Sequence, residues 1–167
     1  MQIRELVAID APAFRALRLE ALHSAPTAFG ASYEDWKDRT DADFAQMIVN
    51  AVPGAVFGAF DGETLVGMAG LRVEAGLKVR HKGFMWGVYV RESHRGQGGA
   101  RALAEAVIAK ARGVVLVLQS GVVTDNIRAA TLYADLGFET SGIEKKALLV
   151  DGVFYDEAHI AIDLGEG

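Results

Sequence analysis

The chain has 167 residues, no cysteine, and a formal charge of −5 from 17 Lys plus Arg against 22 Asp plus Glu. Its length suits a single domain over residues 1–167, and 51% hydrophobic residues exclude a disordered chain. The missing cysteines remove disulfide frameworks, thiolate zinc sites and cysteine nucleophiles, and the acidic balance argues against a nucleic-acid partner. Arg4 and Glu5 interrupt the amino terminus, and no apolar run is long enough to span a bilayer, so neither a signal peptide nor a membrane partner is expected and a cytoplasmic location is. One count stands out: 19 glycines, about 11% of the chain against a usual share near 7%.

A first strand is expected around Ile3 to Val7. Asp10 then caps a helix whose first turn tolerates Pro12, with Phe14, Leu17, Ala21 and Leu22 at helical spacing. His23 to Thr40 is less regular, and Asp41 to Val52 reads as another short helix. Ala55 to Phe60 and Leu65 to Val73 flank Asp61-Gly62, a hairpin turn in which both residues tolerate positive φ. Lys82 to Val90 is a third apolar strand.

Ala100, Leu103, Ala104, Val107, Ile108 and Ala111 give the strongest helical period in the chain, ended by Gly113. Val114 to Leu118 is a solid apolar run that suits a strand covered on both faces. Thr124 or Asp125 caps a further helix that Gly137 terminates. Phe138 to Val150 and Val153 to Leu164 flank a second Asp-Gly turn and read as a closing hairpin. The order describes a mixed α/β domain, in which the two strands around the helix at 100–111 need a right-handed parallel crossover.

Arg95-Gly96-Gln97-Gly98-Gly99-Ala100 lies where a strand meets that helix. The first N–H groups of a helix lack intrahelical partners, and glycine lets an anion reach the backbone, with Arg95 and Arg101 adding positive charge. A tight turn that needs glycine for its dihedrals explains the same residues. Arg101 stands where a Rossmann fingerprint requires its third glycine, and the P-loop Lys-Ser/Thr ending is absent.

The segment 95–100, placed after Trp86-Gly87-Val88-Tyr89-Val90, resembles the coenzyme A signature of the GNAT superfamily of N-acetyltransferases. Asn126, Ala129 or Ala130, Leu132-Tyr133 and Gly137-Phe138 match a second block of that family. FRALRLEAL, AFGASYEDW and DGVFYDEAHIAIDL are similar to its amino-terminal helices and last hairpin, so the resemblance covers most of the chain. It implies a mostly antiparallel twisted sheet, flanked by helices, with one parallel strand pair (82–90 and 114–122) splayed around acetyl-CoA and no metal.

The resemblance further implies that backbone groups of Val88, Tyr89 and Val90 meet the acetyl and pantetheine portions. Arg95, Gly96, Gln97, Gly98, Gly99 and Ala100 bind the cofactor, whose pyrophosphate rests on the backbone N–H groups from Gln97 to Ala100. Asn126 bonds the pantetheine or a neighbouring strand, although its type and position equally suit a helix start. Tyr133 protonates the departing thiolate, a role to which an ordinary phenol of pKa about 10 is suited. The family's general base varies; Glu34, Asp35 and Glu74 are positional candidates that read more simply as surface carboxylates. Trp36, Trp86 and Tyr33 are candidates for an acceptor pocket.

His23, His81, His94 and His159 show no metal spacing, and His94 adjoins the glycine turn. Leu118-Gln119-Ser120-Gly121-Val122 departs from the family's apolar alternation, with Gly121 marking a bulge or a close backbone approach. The implied partner is an amine acceptor, either a small molecule or a peptide or protein amine; a homodimer is compatible with the family. A non-catalytic acyl-CoA-binding module on the same scaffold is the alternative.

Overall fold

The computed structural model describes residues 1–165. Seven strands form one sheet in the order β1-β2-β3-β4-β5-β7-β6. They are β1 (Gln2–Glu5), β2 (Ala55–Asp61), β3 (Thr64–Val73), β4 (Lys82–Val90), β5 (Val117–Val123), β6 (Glu139–Val150) and β7 (Val153–Asp163). Every neighbouring pair is antiparallel except β4 and β5, as the two-strand crossover requires. The helices are α1 (Ala11–Ser24), α2 (Tyr33–Trp36), α3 (Asp41–Val49), α4 (Gly99–Arg112) and α5 (Ile127–Asp135).

The sheet buries both faces. On one, α4 sets Leu103, Ala104, Val107 and Ala111 against Val66, Ala69 and Leu118, with Tyr133 and Phe138 in the same core. On the other, α1 and α3 pack Phe14, Leu17, Leu22 and Phe44 over Val56, Met68 and Tyr89. Strand β3 serves both cores, which is why its residues from Leu65 to Leu71 are all buried. Glycine makes two of these contacts possible. A Cβ on Gly67 would lie 3.0 Å from Leu103 Cδ1, and one on Gly70 would overlap the Trp86 indole at 2.1 Å.

Several local expectations change. Asp10 stands at the N-cap of α1 but its side chain makes no capping bond there; the carboxylate accepts the Val7 N–H at 2.8 Å and pairs with Arg4 at 2.8 Å, closing a 3-10 turn (Ala8–Asp10) ahead of the helix. The cap of α5 is neither Thr124 nor Asp125 but Asn126, whose Oδ1 accepts the Ala129 N–H at 3.1 Å. The helix from Asp41 ends at Val49 rather than Val52, and β1 ends at Glu5 rather than Val7. Gly113 follows α4 with φ of −86°, a conformation open to any residue, whereas Gly137 after α5 does use φ of +96°.

The largest change concerns β5. The run Val114 to Leu118 is not a doubly covered strand, because Val114 and Leu116 are exposed and pairing starts at Val117. The strand extends instead through Gln119, Ser120 and Gly121 to Val123. Its register against β7 is unbroken, so Gly121 marks no bulge. Nor does another backbone come close; the near neighbour is a side chain, since a Cβ there would sit 2.6 Å from Glu157 Oε1.

Candidate functional site

Strands β4 and β5 pair over only three positions, Lys82 with Val117, Gly83 with Leu118 and Phe84 with Gln119. Beyond them the strands part. The buried Ser120 hydroxyl donates to the Met85 carbonyl at 2.9 Å across the start of the gap. On its other side β4 stays paired with β3 as far as Val90, but the register slips between Met68–Tyr89 and Gly70–Trp86. Gly87 absorbs that slip with φ of +67°. This kink turns the β4 backbone beside the gap, and a cleft of about 480 Å³ opens there.

The glycine turn forms one end of the cleft. Gly96 and Gly98 have φ of +78° and +81°, so both need glycine for their dihedrals. Nothing lies within 4 Å of where a Cβ on either would stand, so the backbone faces open space. Among the described residues, none of the six N–H groups from Gly96 to Arg101 donates a hydrogen bond; the first closed bond is Ala102 N–H to the Gly98 carbonyl at 3.0 Å. Consecutive free N–H groups at the positive end of a 14-residue helix suit a diphosphate. The dihedral reading of Gly96 and Gly98 holds, and the same conformation leaves the N–H groups of the turn open.

Tyr133 lies in the cleft on α5, 7% exposed and edge-on to Phe138. Its hydroxyl has no hydrogen-bond partner among the described residues, and burial pushes the phenol up to about 12. Asn126, seven residues earlier on nearly the same face, lines the cleft while its oxygen is engaged as the helix cap.

The structure brings Val88, Tyr89, Val90, Arg95, Gly96, Gly98, Gly99, Ala100, Asn126 and Tyr133 to this one cleft. Gln97 is not among the lining side chains, and only its N–H belongs to the free run. Arg95 turns back on its own turn: its Nε donates to the Val90 carbonyl at 3.1 Å, and its guanidinium lies 5.8 Å from the Tyr89 ring. The Val90 carbonyl is thus already engaged. Tyr89 contributes one edge to the cleft while its hydroxyl reaches Ser24 and Glu20 on α1, at 3.2 and 3.3 Å. There Glu20 holds Arg91 in a two-pronged pair at 2.8 to 3.1 Å, and the guanidinium keeps that carboxyl below its ordinary range.

Sequence reasoning missed Thr27, Phe29, Arg128 and Leu132 in the cleft wall. Arg128 carried a signal, since a cation in the first turn of a helix opposes the dipole unless an anion is near. The three carboxylates suggested as bases do not line the cleft. Glu34 pairs with Lys37, Asp35 closes on Ser32, and Glu74 meets Arg72 at 3.1 Å. His94 does line it, fixed by Asp61 at 3.2 Å and Ser93 at 2.8 Å. On the exposed face of the last hairpin Glu144, Glu157 and His159 gather within 4.8 Å, a group their spacing in sequence did not announce.

A second cavity of about 460 Å³ lies beyond the β4 kink. Trp36 and Trp86 line it together with Arg18, Arg39 and Arg72. Tyr33 stacks edge-on to His23 at 5.3 Å instead, outside this lining.

Comparison with known proteins agrees with this geometry. The acetyltransferase of the GNAT family from Streptococcus pneumoniae superposes with a TM-score of 0.87 at 22% identity, over 98% of this chain and 99% of that one. The protein yncA from Salmonella typhimurium, solved with its cofactor acetyl-CoA, gives 0.86 at 21% identity over 99% and 95%. A phosphinothricin acetyltransferase from Sinorhizobium meliloti, also solved with acetyl-CoA, gives 0.83 at 20% identity over 99% and 89%. No protein of curated function matches by sequence. The model of the acetyltransferase (GNAT) family matches residues 15–138, which span α1 through the glycine turn to Phe138, and the chain belongs to that family.

Proposed function

We propose that the protein transfers the acetyl group of acetyl-CoA directly to a primary amine. The observation that carries this reading is the conjunction in one cleft of six free N–H groups at one end and a buried, unpartnered phenol on its wall. Acetyl-CoA supplies an activated thioester and a diphosphate. The N–H groups from Gly96 to Arg101 hold the diphosphate. The β4 backbone at its kink offers hydrogen bonds to the thioester carbonyl, whose oxygen gains charge as the amine nitrogen bonds to its carbon.

As the carbon–sulfur bond breaks, its electron pair goes to sulfur. Tyr133, protonated far above neutral pH, passes its proton to that sulfur. The ammonium loses one proton to solvent before it attacks; the second leaves nitrogen as the carbon–sulfur bond breaks and, through solvent, restores the Tyr133 phenol, so the products are an amide and a thiol. The chain has no cysteine, so no acyl-cysteine intermediate forms.

The test is thiol release from acetyl-CoA across a panel of amines, with calorimetric titration of coenzyme A beside it. The cysteine-free protein contributes no background thiol. Coenzyme A binding with release for at least one amine supports the reading. Binding without release for any amine identifies an acyl-CoA-binding module, and no binding rejects both.

A further inference from the structure

The second cavity contains a charge that the acetyl-transfer scheme does not use. Arg18 is 5% exposed in the middle of α1, and it makes no hydrogen bond among the described residues. Its Nε and Nη1 are buried without a partner, and no carboxylate of the described residues pairs with it. Three aromatic rings surround it instead: Trp36 at 4.9 Å, Phe29 at 5.0 Å and Trp86 at 5.5 Å from the guanidinium carbon. Such rings stabilise a cation but accept no strong hydrogen bonds, so the guanidinium fork stays unsatisfied. Burial and the nearby charge of Arg39 draw its pKa down to about 10, which leaves it charged at neutral pH.

The cavity around it is cationic in an acidic chain. Arg18, Arg39 and Arg72 line it, and among the described residues no Asp or Glu does. Arg39 lies over Trp36 at 3.9 Å, and Arg72 pairs with Glu74 at 3.1 Å outside the lining. A buried, unpaired guanidinium beside two further arginines is a receptor for an oxyanion, because a planar acid group takes two N–H donors at once.

Position links this receptor to the reaction. Nη1 of Arg18 lies 3.3 Å from where a Cβ on Gly87 would stand, at the β4 kink itself. Trp86 lines the arginine cavity and Val88 lines the coenzyme cleft, so the two are separated by about two residues of strand, roughly 7 Å. A molecule the size of an amino acid spans that distance. Its acid group would meet Arg18 while its amine reached the kink. Polyamines and aminoglycosides would place cations among three arginines.

We propose that the acceptor is a small amino acid-like molecule whose carboxylate or similar oxyanion is bound by Arg18, between Trp36 and Trp86. The proposal rests on the acetyl-transfer reading for the fate of the amine, but the anion site is testable without it.

The probes are the free protein amino acids at millimolar concentration, each beside its decarboxylated amine, with spermidine as a cationic control. Thermal midpoints are measured for the wild type and for Arg18→Met, without acetyl-CoA. Arg18→Met should melt higher than the wild type, because it removes a buried unpaired charge and keeps an unbranched side chain. It should bind coenzyme A normally. At least one amino acid should raise the wild-type midpoint, its decarboxylated amine should not, and Arg18→Met should lose the response. Where thiol release is seen, kcat/KM for that acid should fall about 100-fold in Arg18→Met, mainly through KM. The proposal is overturned if no amino acid shifts the wild type, if the decarboxylated amines or spermidine shift it equally, or if Arg18→Met responds as the wild type does. A lower melting point in Arg18→Met with an unchanged ligand response identifies Arg18 as purely structural. Failure to bind coenzyme A rejects the acetyl-transfer reading alone.

Discussion

Substitution of Gly98 by alanine separates the two demands on the glycine turn. Gly98 has φ of +81°, where an L side chain is strained, yet a Cβ there meets nothing within 4 Å. Alanine therefore introduces strain without a clash, worth about 1 kcal/mol net of the unfolded-state gain. In a chain of 167 residues that lowers the melting temperature by about 2–4 °C. Gly62, in the β2–β3 turn, supplies the control: its φ is +57° and it too has open space. Both variants should melt lower by similar amounts. Only Gly98→Ala places a methyl group where a phosphate must approach the backbone. Loss of one hydrogen bond to a charged group, about 1.5 kcal/mol or more, weakens coenzyme A binding by about tenfold or more. Differential scanning fluorimetry gives the midpoints and calorimetric titration the affinity. Equal coenzyme A affinity in Gly98→Ala and Gly62→Ala would refute the phosphate cradle.

Tyr133→Phe should reduce kcat by about 100-fold with little change in melting temperature, because the hydroxyl has no protein partner to lose; a wild-type kcat removes Tyr133 from the reaction. In alkaline titration at 295 nm, one of the four tyrosines should ionise only near pH 12. Its raised pKa implies stability that is intact below the unfolded value of about 10 and declines as pH rises towards 12. The Glu20–Arg91 pair is about one-third exposed on both sides, so Glu20→Gln should lose no more than about 1 kcal/mol at neutral pH. The lowered carboxyl makes that contribution present above the ordinary Glu range and lost as pH falls through the folded value, so the two melting curves should converge in acid; a constant gap would contradict the pairing. Ser120→Ala should lower stability by about 1 kcal/mol through the Met85 carbonyl it leaves behind, and an unchanged midpoint would show that bond to be dispensable.

Elements with strong local signals were legible from the residues. The period from Ala100 to Ala111 found α4, and Asp151-Gly152 found the last hairpin, where both residues adopt positive φ of +48° and +78°. The cleft followed from the family resemblance that the glycine turn and the Asn126 to Phe138 block carry, on α4 and α5. The true extent of β5 was hidden because its polar residues are satisfied by partners distant in sequence: Ser120 by Met85, and Gly121 by the space it leaves for Glu157. Arg18 did carry a signal. It stands four residues after Phe14 and four before Leu22, on the face that those residues bury, although Arg15 and Glu20 beside it in FRALRLEAL give the segment a charged look that masks this. Gly70 gave no sign of its purpose either, because the indole it accommodates lies on the neighbouring strand.

The short junction between β4 and β5 also has a mechanical meaning. Hydrogen bonding joins β1–β4 to β5–β7–β6 through three residue pairs, the His81 carbonyl that accepts from Leu116 and Val117, and the Ser120 hydroxyl, so the sheet consists of two plates meeting along a seam near His81 to Phe84. Motion about that seam changes the width of the gap at Val88 while leaving β1, β2 and β6 undisturbed within their own plates. A molecule seated in the gap acts as a wedge that fixes the angle between the plates. Amide exchange should then slow together along 85–90 and 120–123 when coenzyme A is added, with the outer strands unaffected.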